Sequence, residues 1–183
     1  MRKQAMKRLM HGMLLCTLLW SVHGQAATLP ITIKATILEP VCTVTGNNGE
    51  SAVEVPFGEL TLEQVGTAAA EQSVNLKMSC DNSAPTGKTL KMYLSPTSYG
   101  VMSEMGANVL STSLNGLGIA LTSGKAGTTP VNLNSWVPVE GMGTGESTVE
   151  GQLQLKAQLV TPSIAQLHAG TFQATASLMI NYQ

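Results

Sequence analysis

Residues 169–183 read Ala169-Gly170-Thr171-Phe172-Gln173-Ala174-Thr175-Ala176-Ser177-Leu178-Met179-Ile180-Asn181-Tyr182-Gln183. Phe172, Ala174, Ala176, Leu178, Ile180 and Tyr182 fall on one parity. Thr171, Gln173, Thr175, Ser177 and Asn181 fall on the other, with Met179 the exception. Successive side chains of a strand point to opposite faces, so this stretch predicts a strand with one buried face. It runs to the last residue, with nothing following to pair its far edge or close the core beside it. The expectation is a sandwich one strand short.

Working outward, similar alternation recurs between turn-rich segments, the pattern of an antiparallel sandwich. Val74, Leu76, Met78 and Cys80 share one face of a strand, Leu90, Met92 and Leu94 line another, and Val149, Leu153, Leu155, Ala157 and Leu159 a third. Between them Gly46-Asn47-Asn48-Gly49, Asp81–Gly87, Ser123–Pro130 and Gly141–Gly145 carry turn chemistry. A helical turn is predicted within Thr61–Ala70. The fold class is all-β.

The converse of the open C-terminal edge lies near the start. Leu29, Ile31, Ile33, Ala35 and Ile37 alternate with Thr28, Pro30, Thr32, Lys34 and Thr36, which makes a spare strand with an apolar face. It could pair with the C-terminal strand of its own chain or with that of another. Left exposed, such a strand is an aggregation site.

The chain has 183 residues, 43% hydrophobic and 11% charged, with a formal net charge of −1. That charge is uneven, because Arg2, Lys3, Lys7 and Arg8 precede the apolar run Met13–Trp20 and the small-residue site Gly24-Gln25-Ala26. This is the layout of a cleaved signal peptide over residues 1–26, and the run is short of the roughly 20 residues of a membrane span. Beyond residue 26 remain six Lys, no Arg and eleven acidic residues, a net charge of −5. Nucleic-acid binding is disfavoured, since it needs clustered cations. The same part keeps two cysteines, Cys42 and Cys80, which in an exported chain read as one disulfide.

These residues together resemble a pilin subunit of the chaperone–usher pathway, similar to the minor tip pilins of type 1 fimbriae. The resemblance rests on the alternating extension before Cys42, the Cys42 and Cys80 pair, and Gly116-Leu117-Gly118-Ile119 followed by Pro130 and Leu133. It rests also on the C-terminal strand, where Gly170 and Tyr182 fall on the glycine and the penultimate tyrosine of that family. Pro30, Gln158 and Leu159 depart from close relatives.

The resemblance implies an incomplete immunoglobulin-like β-sandwich (residues 41–183) lacking its final strand and completed by donor-strand complementation. Residues 27–40 would act as the donor, with Leu29, Ile31, Ile33, Ala35 and Ile37 filling successive pockets of a neighbouring subunit. Gly170, Phe172, Ala174, Ala176, Leu178, Ile180, Tyr182 and Gln183 would form the acceptor groove and chaperone-binding strand. The implied partners are a periplasmic pilus chaperone, an outer-membrane usher and neighbouring pilins in a head-to-tail filament. The implied location is a fimbrium on the bacterial surface, reached through the periplasm. The expected function is a structural subunit contributing to cell adhesion, minor or tip-proximal. The alternatives are a major rod pilin and a self-contained periplasmic immunoglobulin-like binding module.

Beyond residue 26 the chain offers one His (His168), one Asp (Asp81) and no Gly-x-Ser-x-Gly elbow, so no catalytic residue is assigned. One His beside a bonded cysteine pair does not make a zinc set, and no metal or cofactor is expected. Gly141-Met142-Gly143-Thr144-Gly145 reads as a hairpin loop, without the strand–turn–helix context of a phosphate cradle. Trp136, with Leu133 and Val137 nearby, is expected in the core, a ligand platform being the alternative.

Overall fold

The computed structural model describes residues 42–81, 85–124, 126–139 and 149–183. The predicted signal segment, the donor stretch 27–40 and the Gly141–Gly145 loop lie outside them.

Nine strands form among the described residues: β1 (Cys42–Gly46), β2 (Glu71–Cys80), β3 (Leu90–Pro96), β4 (Val109–Ser111), β5 (Gly118–Ser123), β6 (Thr129–Pro130), β7 (Trp136–Pro138), β8 (Val149–Val160) and β9 (Ala176–Tyr182). One sheet has the order β1-β2-β8-β5-β4, with β6 beside β5, and the other has the order β7-β3-β9. Every pairing is antiparallel. Predicted face-sharing sets hold: Leu76, Met78 and Cys80 on β2 are buried, as are Leu90, Met92 and Leu94 on β3 and Leu153, Leu155, Ala157 and Leu159 on β8. Register aligns the buried positions, with Leu76 opposite Leu153, Ile119 opposite Leu159 and Leu121 opposite Ala157. One core cluster joins these to Met92, Leu94 and Ile180 of the smaller sheet.

The helical turn predicted within 61–70 is present as two single 3-10 turns, Leu62–Gln64 and Ala68–Ala70. The Thr61 N–H donates to the Gln64 side chain (2.8 Å), and the Thr67 hydroxyl accepts from the Ala69 N–H (3.2 Å). These polar side chains occupy backbone donors at the turn starts, which long helices leave to their caps. Between β4 and β5 the Leu114–Leu117 turn closes on a Leu117 N–H to Leu114 C=O bond, and Gly116 supplies its positive φ of 77°.

Two expectations change. Trp136 is not in the core: it is 37% exposed on the outer face of the smaller sheet, because Val137 takes the position opposite the buried Met92. The C-terminal ladder is also shorter than the alternation suggested. The regular ladder ends at Ala176, its register carried one residue further by Thr97 N–H to Thr175 C=O (3.0 Å), and before that Gln173 is held by a loop group, Ser113 N–H to Gln173 C=O (2.9 Å).

Candidate functional site: the open edge of the C-terminal strand

β9 pairs with β3 on one side, and among the described residues no strand pairs with its other side. Which backbone groups face that side follows from the hydrogen bonds. Thr89 and Gln183 exchange both of their N–H to C=O bonds (2.9 and 3.0 Å). In an antiparallel ladder such pairs alternate with non-bonded ones. Asn181, Met179 and Ser177 therefore direct their backbone groups at β3, and Tyr182, Ile180, Leu178 and Ala176 direct theirs away from it. No acceptor or donor among the described residues takes the outward groups of Ile180, Leu178 and Ala176.

The side chains of this same parity enter the core unevenly. Ile180 and Tyr182 are buried, opposite Met92 and Leu90, whereas Leu178 is half-buried and Ala176 exposed. Phe172 and Ala174, in the irregular stretch before β9, are half-buried against the core. Core packing is thus complete at the C-terminal end of β9 and open toward its start. Burial pushes the Tyr182 phenol above its usual pKa.

Two residues of the predicted set stand apart. Gln183 turns its backbone to Thr89 and so lies on the β3 side. Gly170 lies close to Leu114, whose Cδ1 would sit 3.2 Å from an added Cβ, so its contribution is close packing.

A second unpaired stretch faces the same problem. Residues 51–60 make no backbone–backbone hydrogen bond among the described residues, and Val53, Val55 and Phe57 alternate along it. Val53 is exposed, while Phe57 packs on the core with its ring centroid 5.9 Å from that of Phe172. The alternation Val53, Val55, Phe57 was the available sequence signal for this stretch, interrupted by Pro56 and Gly58.

The predicted disulfide joins Cys42 to Cys80, a register pair of β1 and β2, and ties down the edge strand that comes alongside β9. His168 is exposed, with Nδ1 2.9 Å from the Gln166 carbonyl, and Asp81 is exposed. Among the described residues no cluster of three His, Cys, Asp or Glu is placed to hold a metal. A shallow groove of about 460 Å³, lined by Thr43, Thr45, Lys77, Ser79, Glu150 and Gln152 among others, lies on the outer face of the larger sheet.

A two-sheet antiparallel sandwich whose smaller sheet ends on an unpaired C-terminal strand defines an incomplete immunoglobulin-like domain of the kind found in pilus subunits. The chain belongs to the fimbrial protein family, whose match spans residues 31–183. It is 30% identical over 94% of its length to the fimbrial-like protein YfcR of Escherichia coli (strain K12), covering 92% of that protein. It is 29% identical to the minor fimbrial protein PrsF and to the fimbrial adapter PapF of Escherichia coli, covering 92% of this chain and 96% of each relative.

Among solved structures it matches the P pilus adaptor subunit PapF, studied for its polymerization reactivity, with a TM-score of 0.54 and 27% identity, over 81% of this chain and 100% of that one. The P pilus rod subunit PapA shares the fold, with a TM-score of 0.50 and 19% identity over 78% of this chain and 99% of that one. The chain is thus a subunit of a chaperone–usher fimbria, exported and assembled with neighbouring subunits at the cell surface.

Proposed function

We propose that this subunit is a minor or adaptor pilin that joins its neighbours by strand exchange, without catalysis. In this reading the open edge of β9 first accepts a strand from a periplasmic chaperone. At an outer-membrane usher that strand is replaced by the extension of a neighbouring subunit. Residues 27–40 of this chain serve in turn as donor to the next. One observation carries the reading: the outward backbone groups of Ala176, Leu178 and Ile180 have no partner among the described residues, beside a core that is open at Leu178 and Ala176. An apolar strand laid there supplies both the missing ladder and the missing side chains.

Burial favours insertion of the donor. Leu29, Ile31, Ile33 and Ile37 contribute on the order of 6 to 12 kcal/mol on full burial, before ordering costs. A contact in which one copy's strand enters the next copy's groove is head-to-tail and does not close, so it builds a filament. The minor or adaptor position is supported by the likeness to PrsF and PapF over nearly their whole lengths.

The test separates the two halves of the joint. Ile33→Asp should leave chaperone capture intact and block donation to a neighbour, whereas Leu178→Asp should abolish capture. Both are read by co-purification with the chaperone and by recovery of polymer from the cell surface. Unchanged polymer assembly by Ile33→Asp would overturn the donor assignment.

A further inference from the structure

The C-terminal end of β9 differs from the rest of its open edge in one respect. Like those of Leu178 and Ile180, the Tyr182 N–H points away from β3. Unlike theirs, it already has an acceptor in the same strand, Asn181 Oδ1 at 2.8 Å. The Asn181 side chain is exposed on the solvent face of the sheet, and its carboxamide oxygen reaches over the strand edge to the Tyr182 N–H. A side-chain oxygen bonded to a neighbouring backbone N–H offers the same chemistry as the carbonyl of an added strand, without needing a second chain.

We infer that Asn181 is a register stop. By occupying the Tyr182 N–H it withholds that donor from the ladder of a strand added along β9, and so biases which apolar residue of that strand meets which part of the open core. The inference rests on the acceptor-edge reading of β9. A slip by one residue would turn the added strand's apolar face outward, and the buried face alone forbids it. A slip by two keeps the faces and moves every side chain one place along. Pattern alone cannot forbid that slip, and it is the one that would recruit the Tyr182 N–H as an extra rung. The Asn181 oxygen withholds the rung, so the shifted register gains less.

The test uses the full chain with a synthetic peptide of residues 27–40, following amide exchange at Leu178, Ile180 and Tyr182 by NMR. In the unmodified chain the peptide should slow exchange at Leu178 and Ile180 by on the order of tenfold or more and leave Tyr182 near its peptide-free rate. In Asn181→Ala the protection should extend to Tyr182. Peptide dissociation should then slow by about two- to tenfold, the effect of one added backbone hydrogen bond. Asn181→Asp keeps an acceptor oxygen and should behave as the unmodified chain does. Protection of Tyr182 in the unmodified chain, or no difference between it and Asn181→Ala, would overturn the register stop while leaving the acceptor edge in place. Protection at none of the three amides would overturn the acceptor-edge reading itself, and the register stop with it.

Discussion

A tryptophan between apolar neighbours invites a core reading, and Trp136 shows what that reading omits. β7 has only three residues, and its inward Val137 keeps the parity of the buried Val131 and Leu133, so simple alternation already puts Trp136 on the outer face. Apolar neighbours give composition without direction; the period of two is the signal that the core reading leaves unused. Outside, Trp136 stands opposite Tyr93 with ring centroids 5.3 Å apart and a 52° tilt, and Tyr93 stands opposite Met179, which is 50% exposed. Trp136→Ala should therefore cost about 1 kcal/mol, the size of a tilted aromatic pair, instead of the roughly 3–5 kcal/mol of a core aromatic, as measured by urea unfolding. Tyr182 makes a prediction of opposite character. Its phenol is pushed up by burial, so the unfolded chain ionises first once pH passes about 10. The folded state keeps its full stability below that value and loses it as pH rises toward the folded pKa. Unfolding free energies followed from pH 9 to 11 should fall more steeply in the unmodified chain than in Tyr182→Phe.

Among the elements, β9 was the most legible, because a period of two separates its faces without knowledge of any partner. The same parity that buries Ile180 and Tyr182 also places the outward backbone groups, but that second fact depends on the bonding of Thr89 to Gln183, a contact between distant residues. The start of the ladder was not legible for the same reason: beyond the in-register Thr97 to Thr175 bond, Gln173 is held by Ser113 of a distant loop. Likewise Gly118, one of the glycines that carried the family resemblance, gains its meaning only from β4. A Cβ there would lie 2.5 Å from Val109 Cγ1, 3.2 Å from Met102 Sδ and 3.3 Å from the Leu110 carbonyl. Backbone and a β-branched side chain cannot yield as a flexible chain end would. Gly118→Ala should thus cost about 1–3 kcal/mol by overpacking, seen as a lowered urea midpoint at unchanged m-value.

For the molecule as a whole, two sheets with an unpaired strand must stay assembled until a partner arrives, and the disulfide bears on how they do so. β1 is a five-residue edge strand bonded only to β2 among the described strands, and it is the element of the larger sheet that comes alongside β9. Its register begins at the Cys42 to Cys80 pair itself, so the crosslink holds the strand at the end where fraying would start. Cysteine count and export were enough to expect the bond, while its place at the edge beside β9 required the fold. Closing a loop of about 39 residues lowers the entropy of the unfolded chain by an amount equivalent to about 4 kcal/mol at 25 °C. Domains of this kind have about 5–15 kcal/mol in total, so the loss would be a large share. The double variant Cys42→Ser with Cys80→Ser should accordingly unfold at lower urea with a stability smaller by about 4 kcal/mol, and added reductant should move the unmodified chain toward the variant and leave the variant unchanged. A loss below about 1 kcal/mol would mean that the unfolded chain already holds residues 42 and 80 close together, so that the crosslink removes little freedom.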